Sequence, residues 1–348
     1  MSEKLPFASD YMEGAHPRIL EALAATNFLH SSGYGTDEFC RQARQLIREA
    51  CGTPGAAVEF LVGGTQTNAV IIDGLLKGYQ GVISAESGHI AVHEAGAVEF
   101  TGHKVITLPA VNGKLNAGVL ENYMQAFRTD ANNEHMVSPG AVYISQPTEY
   151  GTLYSLEELE MLAECCHRHS LYLYCDGARL AYGLASKAND VGLGDLARLC
   201  DAFYIGGTKC GTMFGEAVVV RDPASIAGLF SHIKQHGALL AKGRLYGVQF
   251  SELFRDGLYY QIGRKAVEQA ERITAALKEN GYRIYNDSPT NQRFFIIEDE
   301  KLAELEEKVG CSLMDRYDDG NSIVRLCTSW ATDDKDVESL IRILAELK

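Results

Sequence analysis

The chain has 348 residues, 46% of them apolar and 22% charged, with 46 acidic against 32 basic side chains and a formal net charge of −14. This length exceeds one ordinary core and predicts two domains, or one large α/β unit with a smaller companion. So acidic a surface repels phosphate backbones and carries no basic, aromatic-interleaved patch, which excludes nucleic acid as a partner.

No run reaches the ~18 apolar residues of a membrane span, and the opening Met1-Ser2-Glu3-Lys4-Leu5-Pro6 holds no hydrophobic signal segment. The nine cysteines are scattered without a C-x-x-C pair, and Cys175, Cys200, Cys210 and Cys327 lie in apolar runs. That usage fits reduced thiols in a soluble cytoplasmic protein.

In chain order, Pro17 to Phe28 is helix-like, with proline in the first turn and Ile19, Leu20 and Leu23 on one side. After the Ser31–Gly35 loop, Thr36 is the expected cap of a helix carrying Phe39, Ala43, Leu46, Ile47 and Ala50. A strand–turn–helix rhythm then begins. The expected strands are Val58 to Val62, Val82 to Ser84, Val105 to Leu108, Ala141 to Ser145, Leu171 to Cys175, Ala202 to Ile205 and Ala217 to Val220. Helices are expected over Gln66 to Leu76, Ile90 to Phe100 and Leu115 to Phe127, and from Ser155, whose Glu158 three residues on completes a capping box. Such alternation predicts a largely parallel sheet covered on both faces. From Arg244 the pattern changes to long helices, then strand-like Arg283 to Tyr285, Phe294 to Ile297 and Ile323 to Cys327, and a closing helix from Asp336 to Leu347. The expected organisation is a large domain over residues 1–243 and a small α+β domain over 244–348.

Three strand ends carry chemistry. In Phe203-Tyr204-Ile205-Gly206-Gly207-Thr208-Lys209-Cys210-Gly211, Lys209 has no charged neighbour between Asp201 and Glu216. It is either a lysine snorkelling from a strand end or a desolvated amine, whose lowered pKa suits Schiff-base chemistry. Asp176 follows a buried strand in Asp176-Gly177-Ala178-Arg179; it is a helix cap, a partner of Arg179, or a counter-charge for a protonated ring nitrogen. Gly63-Gly64-Thr65-Gln66-Thr67-Asn68 is a strand-to-helix turn whose free amides suit a phosphate. A phosphate turn, a strand-end Asp and a Lys 33 positions later follow the order of the fold-type I enzymes that use pyridoxal 5'-phosphate. No G-x-G-x-x-G follows any predicted strand, which argues against a dinucleotide.

On these residues, with Ser87-Gly88-His89-Ile90 and Glu94, the chain from about Ala8 onward resembles the low-specificity L-threonine aldolases, within the β-eliminating lyase group of fold-type I enzymes. The resemblance implies an aspartate aminotransferase-like α/β fold and an aldehyde-lyase that splits threonine or allo-threonine into glycine and an aldehyde. It implies Lys209 as the Schiff-base lysine, Asp176 beside the pyridine nitrogen and His89 stacked on the ring. It also implies Gly64, Thr65 and Thr208 at the phosphate, with Arg244 as a further phosphate-binding arginine. Arg179, Ser9 and Arg325 are the implied substrate-carboxylate ligands, with Arg179 also near the cofactor. Tyr34 lies in an early loop that implies a homodimer or homotetramer with sites between subunits.

One departure stands out. The family pattern often carries a second histidine after the strand equivalent to Ala141–Ser145, where this chain reads Gln146-Pro147-Thr148-Glu149-Tyr150-Gly151. The hydroxyl proton then falls to His89, Glu149 or a water, and β-elimination on the same scaffold is the alternative reaction. Cys165-Cys166-His167-Arg168-His169 contains metal-ligand types, but on an amphipathic helix it is expected to hold no metal. The acidic Glu298–Lys308 stretch is expected to be a solvated helix face.

Overall fold

The computed structural model describes residues 4–348; Met1 to Glu3, the start of the N-terminal segment read above for a signal, lie outside the described residues. The strands are β1 (Leu5–Pro6), β2 (Ala57–Leu61), β3 (Gln80–Ala85), β4 (Val105–Leu108), β5 (Ser138–Ser145), β6 (Tyr172–Asp176), β7 (Ala202–Gly206) and β8 (Glu216–Val220), then β9 (Arg283–Asn286), β10 (Gln292–Glu298), β11 (Val309–Gly310), β12 (Ser312–Asp318) and β13 (Asn321–Cys327). A seven-stranded sheet runs β2-β8-β7-β6-β5-β3-β4. Its β4-β3-β5-β6-β7 block is parallel, and β8 is antiparallel to both its neighbours. The second sheet, β12-β13-β10-β9, is antiparallel. The expected aminotransferase-like α/β architecture with a small α+β unit is therefore what the chain adopts.

The apolar runs make these strands because residues on both faces are buried. Ile83, Val142, Leu173, Cys175, Phe203 and Ile205 face one helical layer, and Val82, Tyr143, Tyr174, Ala202, Tyr204 and Val218 face the other. A third cluster, including Phe7, Ile273, Phe295, Val324 and Leu340, forms the small core. The helix Arg244–Phe254 and the first half of the helix Leu258–Glu279 send Tyr246, Phe250, Leu253, Tyr259 and Val267 into the large core. The change of core thus falls inside that long helix, between Val267 and Ile273, past the expected division at 243/244.

Local differences have local causes. The helix Glu38–Cys51 is capped by Asp37, which accepts from Cys40 N at 2.9 Å, while Thr36 Oγ1 donates back to Gly33 O. The expected single helix over Ile90–Phe100 is two short ones, His89–Val92 and Ala97–Phe100, because Ala95 and Gly96 take φ of 51° and 74° between them. The Ser155–Glu158 capping box is present. Strand β12 was not foreseen, since most of its residues are exposed and it has no buried alternating face. The acidic stretch forms the helix Asp299–Lys308, with only Leu302 and Leu305 buried. All nine cysteines are unpaired thiols. No helix among the described residues is long and apolar enough to cross a membrane.

Candidate active site

Adjacent parallel strands β6 and β7 end at Asp176 and Gly206, so the turns that follow them are neighbours at the carboxyl edge of the sheet. Glycine permits this contact: a Cβ at Gly177 would overlap the Tyr204 carbonyl, and one at Gly206 the Ala178 carbonyl. Gly206 N donates to Gly177 O at 3.0 Å and locks the two turns together. Asp176 and Lys209 are brought to one cavity by this packing.

Asp176 is buried and held as a carboxylate acceptor by four donors. Tyr204 Oη (2.5 Å) and Ala178 N (2.9 Å) bind Oδ1, while Tyr143 Oη (2.8 Å) and Asn68 Nδ2 (3.0 Å) bind Oδ2. Lys209 is fixed through its carbonyl, which accepts from Tyr182 Oη at 2.5 Å. Its amine has no acidic partner within ion-pair distance among the described residues and lies 5.9 Å from the Tyr11 ring centre. Burial, with the nearby Arg179 guanidinium, lowers the Lys209 pKa against the opposing charges of Asp10, Asp176 and Glu216. Of the two readings of Lys209, the desolvated amine is the one this environment produces.

Gly63 caps the helix Gly64–Leu75 without a side chain, and the first internal bond is Thr67 N to Gly63 O at 2.9 Å. The amides of Gly64, Thr65 and Gln66 have no acceptor among the described residues, so they and the helix dipole form an anion cradle. Thr208 stands opposite, its Oγ1 accepting from Gly215 N at 3.1 Å. Glu216, given no role from sequence, starts β8 in the same cavity; its Oε2 accepts from Gly207 N at 2.8 Å, and burial pushes its carboxyl up to about 7. An acid opening an all-apolar strand was the available signal.

His89 Nδ1 lies 2.7 Å from Glu94 Oε1, which also accepts from Asn68 Nδ2 at 2.7 Å. A carboxylate only accepts, so Nδ1 carries the proton of this contact. The backbone amide of His89 donates to Glu149 Oε1 at 3.0 Å.

The expected arginine clamp is altered. Arg179 is doubly bound to buried Asp10, Nε to Oδ2 at 2.7 Å and Nη2 to Oδ1 at 3.0 Å, so its bidentate face is taken. Burial alone would raise the Asp10 carboxyl, but Arg179 and Lys209 hold it below its ordinary value. Among the described residues Arg325 has only neutral partners: Gln292 Oε1 at 3.1 Å, Ser312 Oγ at 3.1 Å and Ala8 O at 3.2 Å. Its buried Nε has no partner among the described residues. Ser9 is buried on the arm between Ala8 and Asp10 and lines neither space of the cleft.

Two expected residues lie elsewhere. Arg244 donates to Leu29 O and Thr26 O, both at 2.6 Å, and covers Phe39, so within this chain it does not reach the phosphate cradle. Tyr34 is exposed at φ 57°, with Lys234 Nζ 4.9 Å over its ring. The helix cluster of metal-ligand types gathers Glu121, Cys165 and His169, but the Glu121 carboxylate is already matched by Arg168 Nη1 at 2.6 Å.

The cleft has two spaces. An inner cavity of about 250 Å³ is lined by Gly64, Thr65, Asp176, Tyr204, Thr208 and Glu216 among others. It opens into a cleft of about 1120 Å³ that holds Arg325, His93 and Tyr150. Tyr11, His89, Glu149, Arg179 and Lys209 line both spaces. An anion cradle, a fixed carboxylate and a desolvated amine around one small cavity fit pyridoxal phosphate: amides for its phosphate, an acid for its ring nitrogen and an amine for its aldehyde.

The chain belongs to the beta-eliminating lyase family, whose model matches residues 6–300. Among individual proteins, it is 28% identical over 338 residues to the low specificity L-threonine aldolase of a Pseudomonas species, covering 96% of this chain and 95% of that one. The solved threonine aldolase of Leishmania major is 43% identical and superposes with a TM-score of 0.95 over 98% of this chain and 99% of its own. The aspartate aminotransferase of Thermus thermophilus, at 16% identity and a TM-score of 0.72 over 99% of this chain and 92% of that one, shares the fold.

Proposed function

We propose that this protein is a pyridoxal-phosphate-dependent aldolase that cleaves threonine-type β-hydroxy-α-amino acids to glycine and an aldehyde. The observation that carries this reading is the desolvated Lys209 amine, in one small cavity with Asp176 and the glycine-turn amides. The likeness to two threonine aldolases over nearly the whole chain supports the choice of substrate. When bound, the cofactor supplies an aldehyde for the substrate amine and a ring that accepts the electron pair released at Cα.

The chain's own residues do the rest. Lys209 would anchor the cofactor through its amine. Gly64, Thr65 and Thr208 would hold the phosphate, Asp176 would keep the ring nitrogen protonated, and His89 would cover the ring. Arg325 receives the substrate carboxylate by charge-assisted hydrogen bonds. That contact would fix the substrate's rotation about Cα. Arg179 stands beside this position with its charge matched by Asp10. We assign Tyr34 and Arg244, which lie together away from this chain's own cleft, to the site of a neighbouring copy in a homo-oligomer, and Ser9 to a supporting place on the arm. Nine unpaired thiols support a cytoplasmic setting.

Purified protein supplied with pyridoxal phosphate should absorb near the visible edge and release glycine and acetaldehyde from threonine. Lys209→Ala should lose that band and roughly a thousandfold or more of the turnover. A wild-type protein that takes up no cofactor would sink the reading. Ammonia and a keto acid in place of glycine would assign it to β-elimination instead.

A further inference from the structure

Five side chains line both the inner cavity and the outer cleft, which is where a substrate anchored at the Lys209 position must react. Lys209 holds the cofactor. Arg179 is tied to Asp10. Tyr11 is 58% exposed, with no hydrogen-bond partner among the described residues to fix its hydroxyl. His89 has one nitrogen on Glu94 and is the residue that would cover the cofactor ring.

The fifth is Glu149. Its Oε1 is fixed by two donors, Ser145 Oγ at 2.7 Å and His89 N at 3.0 Å. Its Oε2 has no partner among the described residues, although the carboxylate lines both spaces. A carboxylate immobilised through one oxygen, with the other unoccupied, is built to accept a proton.

Resting on the aldolase reading, we propose that Glu149 takes the proton of the substrate β-hydroxyl as the Cα–Cβ bond breaks. The O–H bond breaks and its proton passes to Oε2. The C–O bond becomes the aldehyde C=O, the Cα–Cβ bond opens, and its electron pair is left at Cα, where the cofactor ring would accept it, until a proton from solvent is added at Cα and glycine leaves. Glu149 returns its proton to solvent through the cleft. The groups facing it are Asp176 and Tyr143 from the sheet, and Glu94, His89, Arg179 and Lys209 around the cavity. Burial raises the Glu149 carboxyl above its ordinary value; Ser145, the residue's own backbone amide and His89 oppose this, and Asp176 adds to it. The result is a stronger base than a solvated glutamate.

Glu149→Gln keeps an acceptor for His89 N and Ser145 Oγ but cannot take the proton. It should lower kcat for threonine roughly 100-fold or more. Binding of pyridoxal phosphate, followed by its absorbance, and exchange of the glycine α-hydrogen with solvent, which involves no hydroxyl, should each stay within about threefold. The acidic limb of the wild-type kcat–pH profile should vanish in this variant. Glu149→Asp, which keeps the acid but withdraws it, should retain more cleavage than Glu149→Gln.

Cleavage by Glu149→Gln within about tenfold of wild type overturns the assignment. So does equal loss of cleavage and glycine exchange, which would make Glu149 a support for His89, and so does Gln outperforming Asp. A wild type that binds the cofactor and exchanges glycine but cleaves no β-hydroxy amino acid is a distinct result, which sinks the aldolase reading and this assignment with it.

Discussion

Arg325 and Arg179 show how much a single side chain's partners decide. Both guanidiniums border the outer cleft, yet one faces a carboxylate and the other only an amide, a hydroxyl and a carbonyl. A substrate carboxylate therefore gains most at Arg325. Arg325→Ala should raise KM for threonine about 10- to 100-fold, the worth of a charge-assisted contact, with kcat changed less. Arg325→Lys should recover part of the loss, and an unchanged KM in Arg325→Ala would place the carboxylate elsewhere. Glu216 gives a second test, read in stability. Its folded carboxyl lies near 7 against an ordinary 4.5, so the folded state binds the proton more tightly than the unfolded one. The Glu216 contribution to the stability of the cofactor-free protein then falls as pH rises from about 4.5 to about 7. Glu216→Gln should flatten that slope, by at most about 3 kcal/mol across the window in chemical denaturation.

At the scale of elements, the site is a product of strand ends. The β6 and β7 runs were readable because both faces are apolar, and their glycines were readable as breaks. The need for those glycines was not, since it arises from one turn lying against another. Gly177→Ala should push the Asp176 turn from the Tyr204 carbonyl. The expected cost is roughly 2 kcal/mol of stability, together with weaker cofactor retention in dialysis. Wild-type values for both would show that the turns have room. The Ser155–Glu158 box was legible because capping is a matter of three or four neighbouring residues. The Thr36 cap moved by one residue, and β12 was invisible because an exposed edge strand has no apolar face to betray it.

Across the whole molecule, the N-terminal arm joins the two cores. Phe7 is buried in the small core, its carbonyl accepting from Cys327 N at 2.8 Å, and three residues later Asp10 binds Arg179 and Asn291. Phe28 and Phe100 are 90% and 94% exposed in the single chain. Light scattering should find a dimer or tetramer, and Phe100→Asp should shift it toward smaller species. A fully active wild-type monomer would refute the assignment of Tyr34 and Arg244 to a neighbouring site.

The amino-acid sequence by itself determined the cofactor-bearing frame. The glycine turn, Asp176 and Lys209 each follow a strand whose apolar run is written in five or so consecutive residues. The tertiary structure decided what each charge can do. Asp10 neutralises Arg179 across 169 positions, Glu149 gains its fixed oxygen from His89 sixty positions away, and Arg244 turns toward the carbonyls of residues 26 and 29. Desolvation and ion pairing depend on neighbours in space, so the identity of an acid or base is local while its reactivity belongs to the fold.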